Sequence, residues 1–176
     1  MKDIQVITGC MFAGKTTALI DRLKSTNCKY LLVKPKIDTR DEGSQISTHD
    51  GLSETGIRVN RLSEIFQKLK GIKVVGIDEA QFFNNSIVED INYIASKNIT
   101  IIIAGLKKDY LNKSFGCMAE IIKIATSITM LKAICNDCGD AATYSYRKNI
   151  NSKTQVLIGD SNEYAALCKE CFEKRI

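Results

Sequence analysis

Lys15 and Thr16 close the run Gly9-Cys10-Met11-Phe12-Ala13-Gly14-Lys15-Thr16, a match to the pattern GxxxxGK[ST]. In such a loop the glycines allow backbone angles and a close approach that a side chain would block, so successive N–H groups can point at phosphate oxygens. Lys15 would reach the β and γ phosphates of ATP, and the Thr16 hydroxyl would supply a ligand to the bridging Mg2+. A second chemical pair, Asp78-Glu79, ends the apolar stretch Lys73-Val74-Val75-Gly76-Ile77. An aspartate at that place completes a phosphate loop by holding the same Mg2+ ion. Glu79 beside it could polarise water for hydrolysis or accept a proton from a substrate hydroxyl during phosphoryl transfer, the two reactions differing in their nucleophile.

The chain has seven cysteines, and four form the pairs Cys135-Asn136-Asp137-Cys138 and Cys168-Lys169-Glu170-Cys171. With a nucleotide loop and no export signal, metal binding is a better reading of this spacing than disulfides. Four thiolates make a closed tetrahedral Zn2+ site, with no position left for substrate, so the ion is expected to be structural. Cys10, Cys28 and Cys117 read as small buried or half-buried side chains, Cys10 being open to oxidation as well because of its place in the loop.

These residues need elements to position them. Ile4-Gln5-Val6-Ile7 reads as the strand before the phosphate loop, and Thr17 to Lys24 as the amphipathic helix after it. Tyr30-Leu31-Leu32-Val33 is a further strand, ending near Pro35, and residues 36–56 read as a long polar surface loop. A short helix over Ser63 to Leu69, the strand ending at Ile77, a helix over Ile87 to Ala95 and the strand Thr100-Ile101-Ile102-Ile103-Ala104 follow. This alternation predicts an α/β fold: a RecA-like parallel sheet with helices on both faces over residues 1–134, and a small zinc-ribbon unit over residues 135–176. Ligands would gather at the carboxyl ends of the strands, where the loop after residue 8, Asp78-Glu79 and Gly105-Leu106 converge.

At 176 residues, 44% hydrophobic and 26% charged, the composition is that of an ordinary globular protein. No apolar run approaches the ~20 residues of a membrane span, and no secretory leader opens the chain, so a cytoplasmic protein with no membrane partner is expected. The formal charge of +5 is dispersed among acidic residues, and four thiolates with one zinc would lower it to +3. A small anionic ligand accounts for that excess, and nucleic acid is not expected as a partner. Phe82-Phe83, Tyr110, Phe115 and Tyr164 could together wall a slot for a flat base, which favours a nucleoside over water as acceptor. A phosphate-loop ATPase or binding module, its ribbon contacting nucleic acid or protein, is the alternative.

The combination resembles the zinc-containing thymidine kinase family of the cellular and poxviral type. The likeness is carried by Gly9 to Thr17, Asp38-Thr39-Arg40, Thr48-His49-Asp50-Gly51, Gly76 to Phe83, Gly105-Leu106, Phe115-Gly116 and the four cysteines, and runs from about Gln5 to Phe172. It implies ATP-dependent phosphorylation of the 5′-hydroxyl of thymidine, and of deoxyuridine, in nucleotide salvage. Glu79 matches the catalytic base, and Thr16 and Asp78 the Mg2+ positions. Gly9, Cys10, Met11, Phe12, Ala13, Gly14, Lys15, Thr16, Thr17, Asp38, Arg40, Asp78, Gln81 and Arg147 fall at ATP- or phosphate-binding positions. Met11, Phe82, Leu106, Tyr110, Phe115, Ser145 and Tyr164 match the surroundings of the nucleoside, with Gln155, Leu157 and Gly159 on the lasso loop that holds the thymine edge. The resemblance also implies a homotetramer inhibited by deoxythymidine triphosphate. This chain departs from the family's usual residues at Cys10 (proline), Lys107 (acidic), Ser114 (proline), Ser145 (threonine) and Gln155 (aliphatic). His49, the only histidine, reads as a loop-folding residue, since Glu79 already supplies a base.

Overall fold

The structure, a computed structural model, describes residues 2–38, 45–47, 53–148 and 161–175. Arg40, His49, Gln155, Leu157 and Gly159 therefore lie outside the described residues, as does most of the lasso segment.

Six strands form the central sheet: β1 (Ile4–Gly9), β2 (Tyr30–Pro35), β5 (Ile57–Val59), β6 (Val74–Ile77), β7 (Thr100–Gly105) and β8 (Ser127–Leu131). Their order is β5-β2-β6-β7-β1-β8, and every pairing is parallel. Alternation along the strands decides what covers each face. Val6, Val75, Ile77, Ile101 and Ile103 face one way, under α2 (Ile87–Ser96) and α3 (Met118–Ile124), where Ile87, Ile91, Ile94 and Ile121 close the larger core. Ile7, Leu32, Val74, Ile102 and Ala104 face the other way, against Leu19, Ile20 and Leu23 of α1 (Lys15–Ser25). The expected α/β sheet with helices on both faces is observed.

β7 lies between β1 and β6, so the strand before the phosphate loop and the strand that delivers Asp78 are not neighbours. The carboxyl ends of β1, β7 and β6 thus form a row, the end of a parallel sheet at which ligands bind.

Residues 36–56 are not loop throughout. β3 (Gln45–Ser47) pairs antiparallel with β4 (Ser53–Thr55), and Ile46 is fully buried on the α1 side of the sheet. Buried Ile46 gives this largely polar stretch an apolar anchor. The short helix expected from Ser63 is a 3₁₀ helix over Leu62–Lys68, opened by Glu64, whose carboxylate accepts the backbone N–H groups of Asn60 and Arg61.

After β8 come two small ribbons. β9 (Ala133–Ile134) pairs with β10 (Ala141–Ala142), and β11 (Tyr144–Arg147) pairs with β12 (Tyr164–Leu167), which leads into the one-turn helix α4 (Lys169–Glu173). Among the described residues no helix is long and apolar enough to cross a membrane.

Candidate active site

The phosphate loop leaves β1 at Gly9, where a side chain could not fit: a Cβ would lie 2.5 Å from the Leu131 carbonyl oxygen on β8. It turns through Phe12 and Gly14, both left-handed, with φ of 64° and 75°, and enters α1 at Lys15. The Lys15 ammonium reaches back over the loop and donates to the Cys10 carbonyl at 2.7 Å. Ala18 N–H bonds to Gly14 O at 2.9 Å and fixes the first helical turn, which carries Thr16.

Thr16 and Asp78, 62 residues apart, meet: the hydroxyl donates to the carboxylate at 3.1 and 3.2 Å. Asp78 is held at the end of β6 by its own N–H, which bonds to Val33 O at 2.8 Å. A hydroxyl oxygen and a carboxylate side by side at a phosphate loop are hard oxygen ligands of the kind Mg2+ takes, so these two residues fit that ion.

Glu79, the next residue, is buried and left-handed, with φ 50° and ψ 42°. An unbranched carboxylate residue in that region is held there by its surroundings, and such residues cluster at working sites. Gln81, on the 3₁₀ turn Ala80–Phe82, donates from Nε2 to Glu79 Oε2 at 2.5 Å.

Asp38 lies beyond the end of β2 and is fully buried, its carboxylate paired with the Lys34 ammonium at 2.8 Å. Arg58 on β5 donates to the Asp38 carbonyl at 2.7 Å. Lys34 escaped the sequence reading, because a lone lysine after Leu31-Leu32-Val33 looks like the solvated end of a strand. Its side chain is only 4% exposed, so it is a buried cation held against a buried carboxylate.

Of the aromatic residues, Phe82 and Phe115 meet edge to face with ring centroids 5.6 Å apart, and Leu106 is buried at the end of β7. Phe83 belongs to the larger hydrophobic core. Arg147 is buried on β11 with its guanidinium 3.8 Å from the Tyr110 ring centroid, and its Nε and Nη2 donate to the Tyr164 hydroxyl at 3.2 and 2.8 Å. Tyr110 and Tyr164 thus share one cation. The Ser145 hydroxyl accepts the Met11 N–H at 3.0 Å, tying the phosphate loop to β11.

Cys10 is not open to oxidation as its loop position suggested. It is buried, its thiol faces the Ala142 carbonyl at 3.4 Å, and burial pushes its pKa up, which disfavours the reactive thiolate. Cys117 behaves alike, its thiol donating to Ala80 O at 3.2 Å and pushed up to about 11 by burial, whereas Cys28, expected to be at least half-buried, is exposed between α1 and β2.

The sulfurs of Cys135, Cys138, Cys168 and Cys171 all lie within 4.8 Å of one another, with Cys138 and Cys168 3.6 Å apart. Zinc–sulfur bonds of about 2.3 Å set tetrahedral sulfurs about 3.8 Å apart, while a disulfide needs about 2.05 Å. The cluster therefore fits a zinc ion. Asn136 stitches its two halves together: its N–H bonds to Ala166 O at 2.9 Å and its Oδ1 accepts Ala166 N–H at 2.8 Å.

A protein-family model described as thymidine kinase matches residues 2–172. A thymidine kinase of Bacteroides thetaiotaomicron is 40% identical over 172 residues, covering 96% of this chain and 86% of the relative. One of Mycoplasma mobile is likewise 40% identical with the same coverage, and one of Ureaplasma urealyticum is 41% identical over 181 residues, covering 94% and 80%.

Proposed function

The chain belongs to the thymidine kinase family and phosphorylates thymidine, and on that premise we propose that Glu79 is the proton acceptor in transfer from ATP to the 5′-hydroxyl. The observation that supports this reading is the meeting of Thr16 on the phosphate loop with Asp78 at the end of β6, Glu79 being the next residue along the chain. Loop amides from Gly9 to Thr17, with Lys15, hold the triphosphate. Thr16 and Asp78 would hold magnesium, which when bound draws charge from the phosphate oxygens. Glu79 takes the hydroxyl proton as the nucleoside oxygen bonds to the γ-phosphorus in line. The bond from that phosphorus to the bridging oxygen breaks, and its electron pair leaves with ADP. Arg147 offsets charge on the moving group, and Asp38 and Arg40 act near the phosphates.

Met11, Phe82, Leu106, Tyr110, Phe115, Ser145 and Tyr164 surround the nucleoside in this reading, with Gln155, Leu157 and Gly159 supplying contacts to the base. Support comes from the Phe82–Phe115 pair and from the Tyr110–Arg147–Tyr164 stack. Deoxyuridine is a second acceptor and deoxythymidine triphosphate a feedback inhibitor. The enzyme works in the cytoplasm as a homotetramer, its residues 1–134 binding nucleotide and residues 135–176 forming the zinc and lasso unit. Zinc closed by four thiolates supplies structure and no chemistry.

Transfer of label from γ-labelled ATP to a nucleoside panel tests the proposal. Wild-type protein is expected to label thymidine and deoxyuridine but not deoxycytidine or purine nucleosides. Glu79→Gln should bind ATP normally and lose turnover by at least ~100-fold, the low end for a general base. Release of free phosphate alone would mean that water is the acceptor, and near-normal turnover in Glu79→Gln would remove that residue from its role.

A further inference from the structure

Gln81 joins the proposed base to the far side of the site. The residue is 3% exposed, and its carboxamide makes two hydrogen bonds. Oε1 accepts the backbone N–H of Leu106 at 2.9 Å, and Nε2 donates to Glu79 Oε2 at 2.5 Å. The first contact settles the second: a backbone N–H can only donate, so the amide oxygen must face Leu106 and the NH2 group must face Glu79. Without that anchor the carboxamide could turn over and present its oxygen to a carboxylate. The backbone behind it is equally fixed, since a Cβ on Gly116 would lie 2.0 Å from the Gln81 carbonyl oxygen.

We infer that Gln81 is a positioning residue for phosphoryl transfer: anchored by the Leu106 amide, it donates to one oxygen of Glu79 and aims the other at the acceptor hydroxyl. The inference rests on Glu79 being the proton acceptor, and it gives Gln81 a place other than the phosphate contact implied by resemblance. A glutamate side chain has three rotatable bonds, and a carboxylate loose about the last of them spends little time in line with a hydroxyl. Fixing one oxygen removes that freedom before substrate arrives, which is where much of the rate from orientation comes from. As transfer proceeds, the second Glu79 oxygen takes the 5′-proton, the oxygen–phosphorus bond forms and ADP leaves with its electron pair. Gln81 keeps both of its amide hydrogens. Because Leu106 stands in the proposed nucleoside wall, the same carboxamide also keeps that wall and the base in one frame.

The two contacts can be separated. Gln81→Glu keeps an oxygen for Leu106 N–H but loses the amide donor toward Glu79, whereas Gln81→Met loses both. Single-turnover transfer from ATP to thymidine, with magnesium and enzyme in excess, should slow about 10- to 100-fold in both variants. Thymidine affinity, measured by calorimetry, should stay within about twofold in Gln81→Glu and weaken in Gln81→Met. Placed on Glu79→Gln, Gln81→Met should slow transfer by less than about a further twofold, since the group it positions is already gone. Normal transfer in Gln81→Glu, with only Gln81→Met impaired and only in affinity, would confine Gln81 to holding Leu106. A full additional loss on the Glu79→Gln background would also overturn the inference. A Glu79→Gln protein with normal turnover is a different result, because it removes the base itself.

Discussion

The parallel sheet and the cysteine-bearing region solve the problem of burial in different ways. In the sheet, isoleucines, leucines and valines from six strands are covered by helices on both faces, and the core closes on apolar contact alone. From Ala133 onward the buried cluster is Cys10, Ala133, Cys135, Ala142, Ala166, Leu167 and Phe172, in which only the last two are large. Two-stranded ribbons and a one-turn helix are marginal without a third layer, and alanine buries little area to offset chain entropy. The stacked rings of Tyr144 and Phe172 help, as does the Arg175–Asp137 ion pair, but the latter is largely exposed and worth little. This region therefore leans on two things beyond its own apolar contacts: a four-cysteine cluster that fits zinc, and the phosphate loop whose Cys10 completes the buried cluster.

Removing zinc should give the largest effect. Structural zinc is worth about 10 kcal/mol or more in small sites, beyond anything the alanine-rich cluster supplies. Cys168→Ser, or wild-type protein treated with a chelator, is expected to lose zinc and melt the ribbons while the sheet stays folded. Thymidine affinity should fall first, since Tyr164, in the proposed nucleoside wall, sits on the ribbons. ATP affinity should weaken as well, because Cys10 and Met11 lose their partners on the far side of the loop. Zinc release followed by titration of each ligand separately checks this, and full retention of both affinities without metal would show that the ribbons hold themselves.

Ile103→Ala asks the reverse question. Ile103 is fully buried in the larger core, and truncation of such a residue costs about 2–5 kcal/mol through lost transfer energy and the cavity left behind. Urea denaturation followed by far-ultraviolet circular dichroism should show that loss, while zinc content below the transition stays at the wild-type value. Zinc released together with the first weakening of the sheet would erase the distinction between the two regions.

What the sequence made legible was whatever a short stretch of chain settles by itself. The phosphate loop, the apolar strands at Ile4, Tyr30, Val74 and Thr100, and the two cysteine pairs depend on spacing over a few residues. The order of the sheet is different in kind: nothing near β7 says that it lies between β1 and β6, because its pairing with β1 joins Ile4 to Ile101, far apart in the chain. β8 went unseen because an edge strand is covered on one side only, and Ser127–Leu131 mixes polar with half-exposed apolar residues. Lys34 escaped notice for a related reason: side-chain type says that lysine is solvated, while the buried carboxylate that decides otherwise, Asp38, is brought to it by the fold. The Glu79 carboxylate and Leu106 amide that Gln81 meets are likewise placed by the fold.

The smallest expected effect lies at the seam between the two regions. The Ser145 hydroxyl is one oxygen accepting one phosphate-loop amide, and resemblance places the same residue beside the nucleoside. If its main work is to hold the loop, Ser145→Ala leaves the Met11 N–H without its acceptor and loosens the turn that carries Phe12 and Gly14. A hydrogen bond of this kind is worth about 1 kcal/mol, which is about a fivefold weakening of ATP binding with thymidine binding little changed. Ser145→Thr keeps the oxygen and should restore ATP affinity, its added methyl being felt, if anywhere, by the nucleoside. Calorimetric titration of each ligand into the two variants separates the roles. A loss confined to thymidine in Ser145→Ala would place the hydroxyl in the substrate pocket and leave Cys10 as the stronger link between loop and ribbon, in which case Cys10→Ala should weaken ATP binding where Ser145→Ala does not.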